Sequence, residues 1–417
     1  MIDLVAGIHT IAFPRNKATP VRMQTLFQQL DTFLTQTEKY WRFEPFHHSA
    51  EPLLPWSDPA LKEWLLGLSE PQIEMFKAQP DTLIDQLAPF IANLTDLHGL
   101  TALHKSQHSA PDLTAIEQGV PGRKYDQVRL MGGAALANHH GSEWLEWCSG
   151  KGYLGRVLAQ NSQQRVTSFE FQHELCQRGQ AEADALQLEM CFIQGDAFDG
   201  ASQAVFHSAQ HAVALHACGD LHVRLMQYAS RASLSAITLS PCCYHLIEDE
   251  TYQPLSQCAR NSALNLSRSE LRIPLQETVT GGERVRRHRF AEMSYRLGLD
   301  ELLRYELSME QYLPVPSIKK SLLSAGFEAF CQWAAQQKQL SLPEVDYAVY
   351  QQRGEQRFWL MERLSLVQQG FRRLLEMWLV LDKALYLREQ GYQVTVSEFC
   401  DRATTPRNIL IHAVKAG

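Results

Sequence analysis

The middle of the chain carries short apolar runs separated by segments of helical length, and this rhythm constrains the fold more than any other feature. The runs are Trp144–Trp147, Val166–Phe169, Met190–Ile193, Ala212–Leu215 and Ala236–Leu239. Such alternation is typical of βαβ units, which place successive strands parallel in one sheet. The spacing therefore predicts a wound α/β domain with five parallel strands.

A further helix and two strands are predicted after this domain. Apolar residues recur at helical spacing over 371–388, and Gly391 is placed to end this helix. Strands are predicted over 393–399 and 409–414, joined by a Thr-Thr-Pro-Arg-Asn turn. Together with the parallel strands they would complete a seven-stranded sheet with an antiparallel edge.

Composition and pattern divide the chain into four segments. Residues 1–120 hold 8 Lys/Arg and 14 Asp/Glu, with apolar residues at helical spacing, which predicts an acidic helical N-terminal domain. The α/β core is assigned to 121–245, and a helical insertion to 246–345. Residues 346–417 supply the last helix and the strand pair.

The overall charge and the cysteines narrow the class of protein. A formal net charge of −7 provides no protein-wide attraction for nucleic acid, so any RNA contact must be a local patch. Nine cysteines, an odd number without regular spacing, indicate reduced thiols and a cytoplasmic location. We expect no membrane span, because no run of about 18 uncharged apolar residues occurs.

A glycine-rich segment follows the first predicted strand and precedes a helix. Gly150, Gly152 and Gly155 match the pattern G-x-G-x-x-G, and Glu170 follows roughly 20 residues after the first glycine, at the end of the second strand. Glycines at this position let a ligand approach backbone amides at a helix N-terminus. The segment predicts an adenylated ligand, and its spacing fits both NAD and S-adenosylmethionine (SAM).

Three features favour SAM over NAD. Glu146, just before the loop, would repel a pyrophosphate but can hold the α-amino group of a methionine moiety. Glu170 can accept both ribose hydroxyls, and Asp196, followed by Ala197, adds a carboxylate suited to the adenine amino group. The antiparallel strand pair is also unusual for dinucleotide domains. An NAD-dependent oxidoreductase is the alternative from another enzyme class.

Three motifs carry a resemblance to a known family. They are acid-x-Cys-x-Gly-Lys-Gly-x-Leu at 146–154, His-x-Cys-Gly-Asp-Leu at 216–221 and Cys-Cys-Tyr-His at 242–245. With them the chain resembles a class I SAM-dependent methyltransferase, and more narrowly the methyltransferase-like group that has these motifs. It is also similar, in the glycine loop and the Cys-Cys box, to tRNA ribose 2′-O-methyltransferases. The segment 405–408, Thr-Pro-Arg-Asn, resembles the Ser-Pro-Arg-Asn of the same group.

The resemblance implies a Rossmann-like seven-stranded core, SAM as cofactor, and RNA, either tRNA or rRNA, as acceptor. Two departures from the family pattern are Glu146 for the commoner Asp and Ser149 for a frequent Ala. Lys124 would reach the SAM carboxylate, and a solvated loop lysine is the alternative. The candidate cofactor-binding residues are Lys124, Glu146, Cys148, Gly150, Lys151, Gly152, Glu170, Asp196 and Ala197.

Thiols and imidazoles are predicted to gather at the carboxyl ends of the fourth and fifth strands, the edge where open α/β sheets bind ligands. Three interpretations are open: the Cys-Cys-Tyr box presents the acceptor as an Asn/Asp-Pro-Pro-Tyr box does, it binds zinc, or it forms a buried polar floor. These residues contain no CxxC or HxxxH pair, which disfavours a metal, as does the expectation that adjacent cysteines project in different directions. The candidate catalytic residues are His216, Cys218, Asp220, Cys242, Cys243, Tyr244 and His245.

Two of these candidates have specific predicted roles. His216 or His245 would be the base if the acceptor is a hydroxyl, because imidazole accepts a proton near neutral pH. Asp220 would bind the substrate or the methionine amino group, or else cap the following helix.

The insertion also contains a dense basic patch after Gly281-Gly282, which is predicted as a loop. Guanidinium groups at this density can neutralise RNA phosphates, and a solvated loop paired with acids of the N-terminal domain is the alternative. A catalytically silent module that binds SAM or RNA is the remaining hypothesis. The residues of the patch are Arg284, Arg286, Arg287 and Arg289.

Overall fold

The computed structural model describes residues 20–51, 53–116, 120, 122–276 and 283–416, so the predicted Gly281-Gly282 loop lies outside the described residues. Short helices dominate the first part of the chain. Asp58 caps one of them by accepting hydrogen bonds from Ala60 N and Leu61 N, at 2.9 and 3.3 Å. The helices are α1 (Pro20–Gln36), α2 (Glu38–Trp41), α3 (Pro45–His48), α4 (Pro59–Gly67), α5 (Glu70–Ala78), α6 (Pro80–Leu87) and α7 (Leu94–Leu100).

The α/β part begins with a helix and then alternates strands with helices. Short 3-10 turns over 114–116 and 200–205 accompany these elements. The elements are α8 (Gly122–Ala137), β1 (Glu143–Trp147), α9 (Tyr153–Ser162), β2 (Val166–Glu170), α10 (His173–Ala185), β3 (Met190–Gln194), β4 (Gln210–Ala214), α11 (Asp220–Arg231) and β5 (Ala236–Leu239).

The remainder of the chain is helical until its final strand pair. A 3-10 turn over 270–275 lies between the first two of these helices. The elements are α12 (Gln257–Arg260), α13 (Glu283–Leu307), α14 (Lys320–Leu323), α15 (Phe327–Lys338), α16 (Tyr347–Gln369), α17 (Arg372–Glu389), β6 (Tyr392–Glu398) and β7 (Ile409–Lys415).

All seven strands form one sheet in the order β3-β2-β1-β4-β5-β7-β6. Strands β1 to β5 are parallel, and β7 runs antiparallel to both β5 and β6. The predicted Rossmann-like class I methyltransferase fold with an antiparallel edge is therefore confirmed. The order reverses between β1 and β4, and in open α/β sheets ligands bind at the carboxyl ends of the strands beside such a reversal.

Strand β4 begins two residues earlier than the apolar pattern predicts. The predicted run started at Ala212, whereas β4 starts at Gln210 and includes His211, both of which are buried. Their side chains are satisfied inside the protein, since Gln210 Nε2 donates to Val205 O at 3.0 Å and His211 Nε2 lies 2.8 Å from Thr238 Oγ1. Buried polar residues with such partners escape a search for apolar runs.

Helix α17 joins the N-terminal helices to the sheet. Its Trp378 ring packs against Phe27 of α1, with ring centroids 5.2 Å apart, and its Nε1 donates to Asp31 Oδ1 at 2.9 Å. One apolar core extends from α1 through α17 to β5, β6 and β7. The predicted division into four segments stays a prediction. Within the described residues, no helix has the length and apolar character needed to cross a bilayer.

Candidate active site

The glycine loop between β1 and α9 is shaped by three residues in the left-handed backbone region. Cys148, Gly150 and Gly152 have φ values of +56°, +58° and +72°. No described atom lies within 4 Å of the position that a β-carbon on Gly150 would occupy, so a ligand can approach the backbone there. A β-carbon on Gly152 would instead lie 2.5 Å from Phe192 Cζ, which makes that glycine a packing requirement.

Glu170 is tied to this loop from the end of β2. Its Oε2 accepts a hydrogen bond from Gly150 N at 2.9 Å, and its Oε1 accepts one from Gln172 N at 3.0 Å. Each carboxylate oxygen can accept a second hydrogen bond, which is the requirement for binding two vicinal ribose hydroxyls. These two hydrogen bonds from backbone N–H groups fix the position of the Glu170 carboxylate without a ligand.

Glu146 is buried between β1, β2 and α9. Its Oε2 accepts from Ser168 Oγ at 2.8 Å, and the backbone of Gly155 also donates to it. Burial raises the pKa of this carboxyl group to about 7, against the hydrogen bonds and the charges of Arg156 and Lys124. A β-carbon on Gly155 would lie 2.5 Å from Glu146 Oε2, so only glycine lets α9 approach the carboxyl group this closely.

Lys124 lies beside the glycine loop but on a helix, not on the predicted loop. It belongs to the first turn of α8 and is half-buried, with its Nζ 4.9 Å from the ring centroid of Tyr153. Burial lowers the pKa of Lys124, while the charge of Glu146 raises it and that of Lys151 lowers it. The interpretation of Lys124 as a solvated lysine on a loop is therefore excluded.

Asp196 and Ala197 follow β3 at the same sheet edge. Asp196 is exposed, and its Oδ1 accepts from Phe198 N at 2.9 Å, whereas Ala197 is buried. Sequence reasoning missed two aromatic rings here: Phe171 is 65% exposed and Phe198 46% exposed. Each follows a predicted ligand-binding carboxylate by one or two residues, and that pattern was visible in the sequence.

The three cysteines of the predicted catalytic cluster are brought together. Cys218 and Cys242 form an isolated parallel bridge, with their Sγ atoms 3.4 Å apart, and the Sγ atoms of Cys218, Cys242 and Cys243 all lie within 4.8 Å of one another. The expectation that Cys242 and Cys243 project in different directions is wrong. Cys243 has a φ of +48°, and this left-handed conformation allows both thiols to reach one cluster.

Asp220 is not the N-cap residue of the next helix, and one of its two carboxylate oxygens already accepts a hydrogen bond from the protein. It is the first residue of α11, after Gly219 at the cap position, and its Oδ2 accepts from Glu248 N at 2.7 Å. Gly219 has a φ of +57°, and a β-carbon there would lie 1.9 Å from Leu246 O. These contacts hold the loop after β5 against the start of α11.

The two candidate bases lie near a cationic residue of the strand-pair turn. His216 follows the end of β4, while His245 is half-buried, and its enclosed Nδ1 has no hydrogen-bond partner among the described residues. Desolvation lowers the pKa of both imidazoles, and the charge of Arg407 acts in the same direction. Both effects favour the neutral form of each ring. Arg407 had a motif resemblance but no predicted role.

Tyr244 is enclosed, which disfavours the interpretation that the Cys-Cys-Tyr box presents the acceptor as an Asn/Asp-Pro-Pro-Tyr box does. It is 2% exposed, and Lys383 Nζ lies 5.4 Å from its ring centroid. Burial raises the pKa of its hydroxyl well above the ordinary value. His222, which sequence reasoning missed, is buried 6.4 Å from the Tyr244 ring, and burial lowers its pKa to about 3.

The two groups of predicted residues lie side by side. Lys124 interacts electrostatically with both Glu146 and His216, and Cys148 with Cys218. Burial, followed by the charge of Glu170, raises the pKa of Cys148 to about 12, so this thiol is neutral between the two groups. The assigned roles of these residues stay predictions.

A separate cavity of about 580 Å³ lies between the N-terminal helices, α13 and α16. Arg42, Arg272 and Arg289 contribute to its lining, and so do the buried Glu362 and Lys77. None of the predicted cofactor-binding or catalytic residues lines it. Arg272 nevertheless connects it to the site, because its charge lowers the pKa of His245.

A family model and several solved structures are similar to parts of this chain. Residues 123–250 match a family model described as a methyltransferase domain. The tRNA (uracil-54, C5)-methyltransferase of Pyrococcus abyssi, solved with S-adenosyl-L-homocysteine, is 17% identical over 28% of this chain and 29% of its own, with a TM-score of 0.23. A geranyl diphosphate methyltransferase solved with SAM is 14% identical over 34% and 63%, with a TM-score of 0.22.

A third solved structure, the N-terminal domain of EvdMO1 with bound S-adenosylhomocysteine, is 14% identical over 27% of this chain and 48% of its own, with a TM-score of 0.23. All three matches thus span less than two thirds of the other protein. By the match to this family model, residues 123–250 of this chain are a methyltransferase domain.

Proposed function

We propose that this protein transfers the methyl group of SAM to an acceptor in RNA. The observation that carries the SAM half is the geometry of Glu170, whose carboxylate is bonded to Gly150 N beside open space at the glycine loop. The RNA half rests on the exposed guanidinium groups of α13 and on the motif resemblance to tRNA ribose 2′-O-methyltransferases.

The loop has the donors and acceptors that SAM requires. Glu170 would bind the ribose hydroxyls, Asp196 the adenine amino group, and the exposed rings of Phe171 and Phe198 the adenine faces. Ser149 Oγ is buried without a hydrogen-bond partner among the described residues, which fits a polar ligand at the loop. SAM, when bound, supplies a methyl group on an electrophilic sulfonium.

Glu146 and Lys124 interact electrostatically with each other, and together they offer the two charges that would hold the methionine end. Glu146 would accept from the α-amino group, and Lys124 would donate to the α-carboxylate. A bound ammonium favours the ionised form of Glu146, whose pKa near 7 makes its charge easy to change. Through these charged contacts, the two residues would orient the ligand along the loop.

The acceptor side offers a base and a cation. Desolvation lowers the pKa of His216 and of His245 and so favours their neutral forms, either of which can take the proton from a ribose hydroxyl during transfer. Arg407 lies close enough to lower both pKa values, and its guanidinium would bind a neighbouring phosphate. Alignment of the hydroxyl with the methyl group supplies the rest of the rate.

The basic patch supplies three cationic groups to solvent and not the four predicted. Arg284, Arg286 and Arg287 are exposed on the first turns of α13, and no carboxylate of the described residues forms an ion pair with them. Arg289 instead donates to Glu362 Oε1 at 2.6 Å. Glu362 belongs to α16, so the acidic partner is not from the N-terminal domain. Three free guanidinium groups are enough for a salt-dependent RNA contact.

A calorimetric titration with S-adenosylhomocysteine tests the cofactor half. We expect Glu170→Ala to weaken binding about a hundredfold, because two hydrogen bonds to a charged acceptor are removed. Glu174→Ala, which removes an exposed carboxylate from the next helix, is the matched control and should bind normally. Binding of NAD in place of S-adenosylhomocysteine would overturn the assignment.

Incubation with labelled SAM tests the RNA half. RNA from cells lacking the protein should accept label that RNA from normal cells does not. The triple variant Arg284→Ala/Arg286→Ala/Arg287→Ala should reduce the salt dependence of RNA binding, by a slope of about 0.9 for each phosphate that is no longer neutralised. The control Arg178→Ala/Arg231→Ala removes exposed charges elsewhere. Label in protein but not RNA, or an unchanged salt slope, would reject this half.

A further inference from the structure

The thiols of Cys218, Cys242 and Cys243 form a compact group to which methyl transfer assigns no step. Their Sγ atoms lie within 4.8 Å of one another, and the Cys218–Cys242 pair is separated by 3.4 Å. Zinc binds thiolate sulfur at about 2.3 Å, which places two sulfurs of one tetrahedral ion about 3.8 Å apart. The Cys218–Cys242 separation is close to that value and the third sulfur is within reach, so small side-chain movements would complete the geometry.

The backbone holds the three cysteines in place. Gly219 N donates to Cys242 O at 3.0 Å, next to the bridge between Cys218 and Cys242. Leu246 N donates to Cys243 O at 2.9 Å, which stabilises the left-handed turn at Cys243. A site held by its backbone loses little conformational freedom when a ligand binds.

The charge around the thiols suits a metal thiolate. An ion of charge +2 with three thiolates carries a net charge of −1. Arg407 interacts electrostatically with both Cys218 and Cys243, and its guanidinium would offset that charge.

We propose that Cys218, Cys242 and Cys243 bind one zinc ion, with water in the fourth coordination position. In the part of the chain that the structure describes, no His, Asp or Glu ligand atom belongs to the group. Cys218 and Cys243 are half-exposed, so water reaches the fourth position. Three protein ligands with one open position are typical of reactive zinc sites. The ion would join the loop after β4 to the loop after β5, whatever the methyl acceptor is.

Metal content and thiol protection test the proposal on the full-length protein in a non-thiol reductant. We expect one zinc per chain by mass spectrometry after gel filtration. Cobalt in its place should give thiolate-to-cobalt charge-transfer absorption. Zinc should also protect Cys218, Cys242 and Cys243 from alkylation, while Cys258 and Cys191, which are half-exposed elsewhere, react as before.

A single substitution distinguishes zinc bound at this site from zinc bound adventitiously elsewhere. Cys243→Ser should weaken zinc binding at least about tenfold and abolish the charge-transfer band, and Cys258→Ser should change neither. The wild-type alkylation pattern decides the question even if Cys243→Ser does not fold. Absence of bound zinc, zinc without protection of the three thiols, or a Cys218–Cys242 disulfide in the isolated protein would each overturn the proposal.

Discussion

The glycine-loop half of the site and the thiol half are built in different ways. Glu146 and Glu170 lie within one β-α-β unit and are bonded to backbone N–H groups of the same unit. The thiol half combines Cys218, Cys242 and Arg407, which come from three separated segments. The loop half is thus a local structure, whereas the thiol half exists only after the sheet has assembled. A substitution that disrupts one half should therefore leave ligand binding by the other half measurable.

The largest effect of a single substitution is expected from Gly219→Ala in the thiol half. Its β-carbon would lie 1.9 Å from Leu246 O, a backbone atom that cannot turn aside, and its φ of +57° adds strain. We expect a decrease of about 3 kcal/mol in the free energy of unfolding, and loss of methyl transfer. Affinity for S-adenosylhomocysteine should stay within about threefold. Urea unfolding and calorimetry measure both.

The control for this variant is Gly67→Ala, where no described atom lies within 4 Å of the new β-carbon. If Gly219→Ala abolished S-adenosylhomocysteine binding, the two halves would not be separable.

Gly155→Ala should give the reverse pattern in the loop half. The new β-carbon would lie 2.5 Å from Glu146 Oε2 and 2.8 Å from Met190 Cε, a flexible side chain. We expect about 2 kcal/mol of destabilisation, and S-adenosylhomocysteine affinity reduced about a hundredfold because Glu146 is displaced. Zinc binding should persist. Gly200→Ala, which meets open space, is the control, and unchanged S-adenosylhomocysteine affinity in Gly155→Ala would contradict the role of Glu146.

The free energy of unfolding should depend on pH because of a group of close histidines in and beside strands β4 and β7. His211 Nε2 lies 2.8 Å from Thr238 Oγ1, which lies 2.7 Å from His412 Nδ1, and His139 Nδ1 lies 3.1 Å from His211 Nδ1. Burial lowers the pKa of His412 from 6.5 to about 4 and that of His211 well below 6.5. Between these values the unfolded chain binds protons that the folded chain does not.

The free energy of unfolding should therefore fall as the pH decreases from 6.5 toward 4, by up to about 1.4 kcal/mol per pH unit for each histidine. Urea unfolding at several pH values measures this slope. His412→Asn should reduce the slope by the contribution of one proton, which is up to about 1.4 kcal/mol per pH unit. An equal slope in the variant and the wild type would show that His412 titrates normally in the folded protein.

The smallest expected effect concerns the charge of Glu146. Its raised pKa of about 7 means that the ionised form, which binds the methionine ammonium, becomes dominant only above neutral pH. S-adenosylhomocysteine affinity should rise up to about tenfold from pH 6 to pH 8, and Glu146→Gln should remove this rise. The amide can still accept from Ser168 Oγ. A pH-dependent rise that survives in Glu146→Gln would assign it to another group, such as Lys124.

Local patterns predicted much of the fold because they act over one strand or one helix. The run at 236–239 is the observed β5, and the helix predicted over 371–388 differs from α17 by one residue at each end. The pattern failed at Gln210 and His211, where buried hydrogen bonds replace apolar side chains, and it missed helix α8, which carries Lys124.

The sequence by itself determined the sheet, its antiparallel edge and the positions of the glycine loop, because periodicity and glycine spacing act within short segments. Only the tertiary structure decided that Tyr244 is enclosed, that Cys243 turns toward Cys242, and that Arg407 joins them. The reason is physical: these contacts depend on how separate strand ends are packed, and residue spacing along the chain carries no information about distances between them.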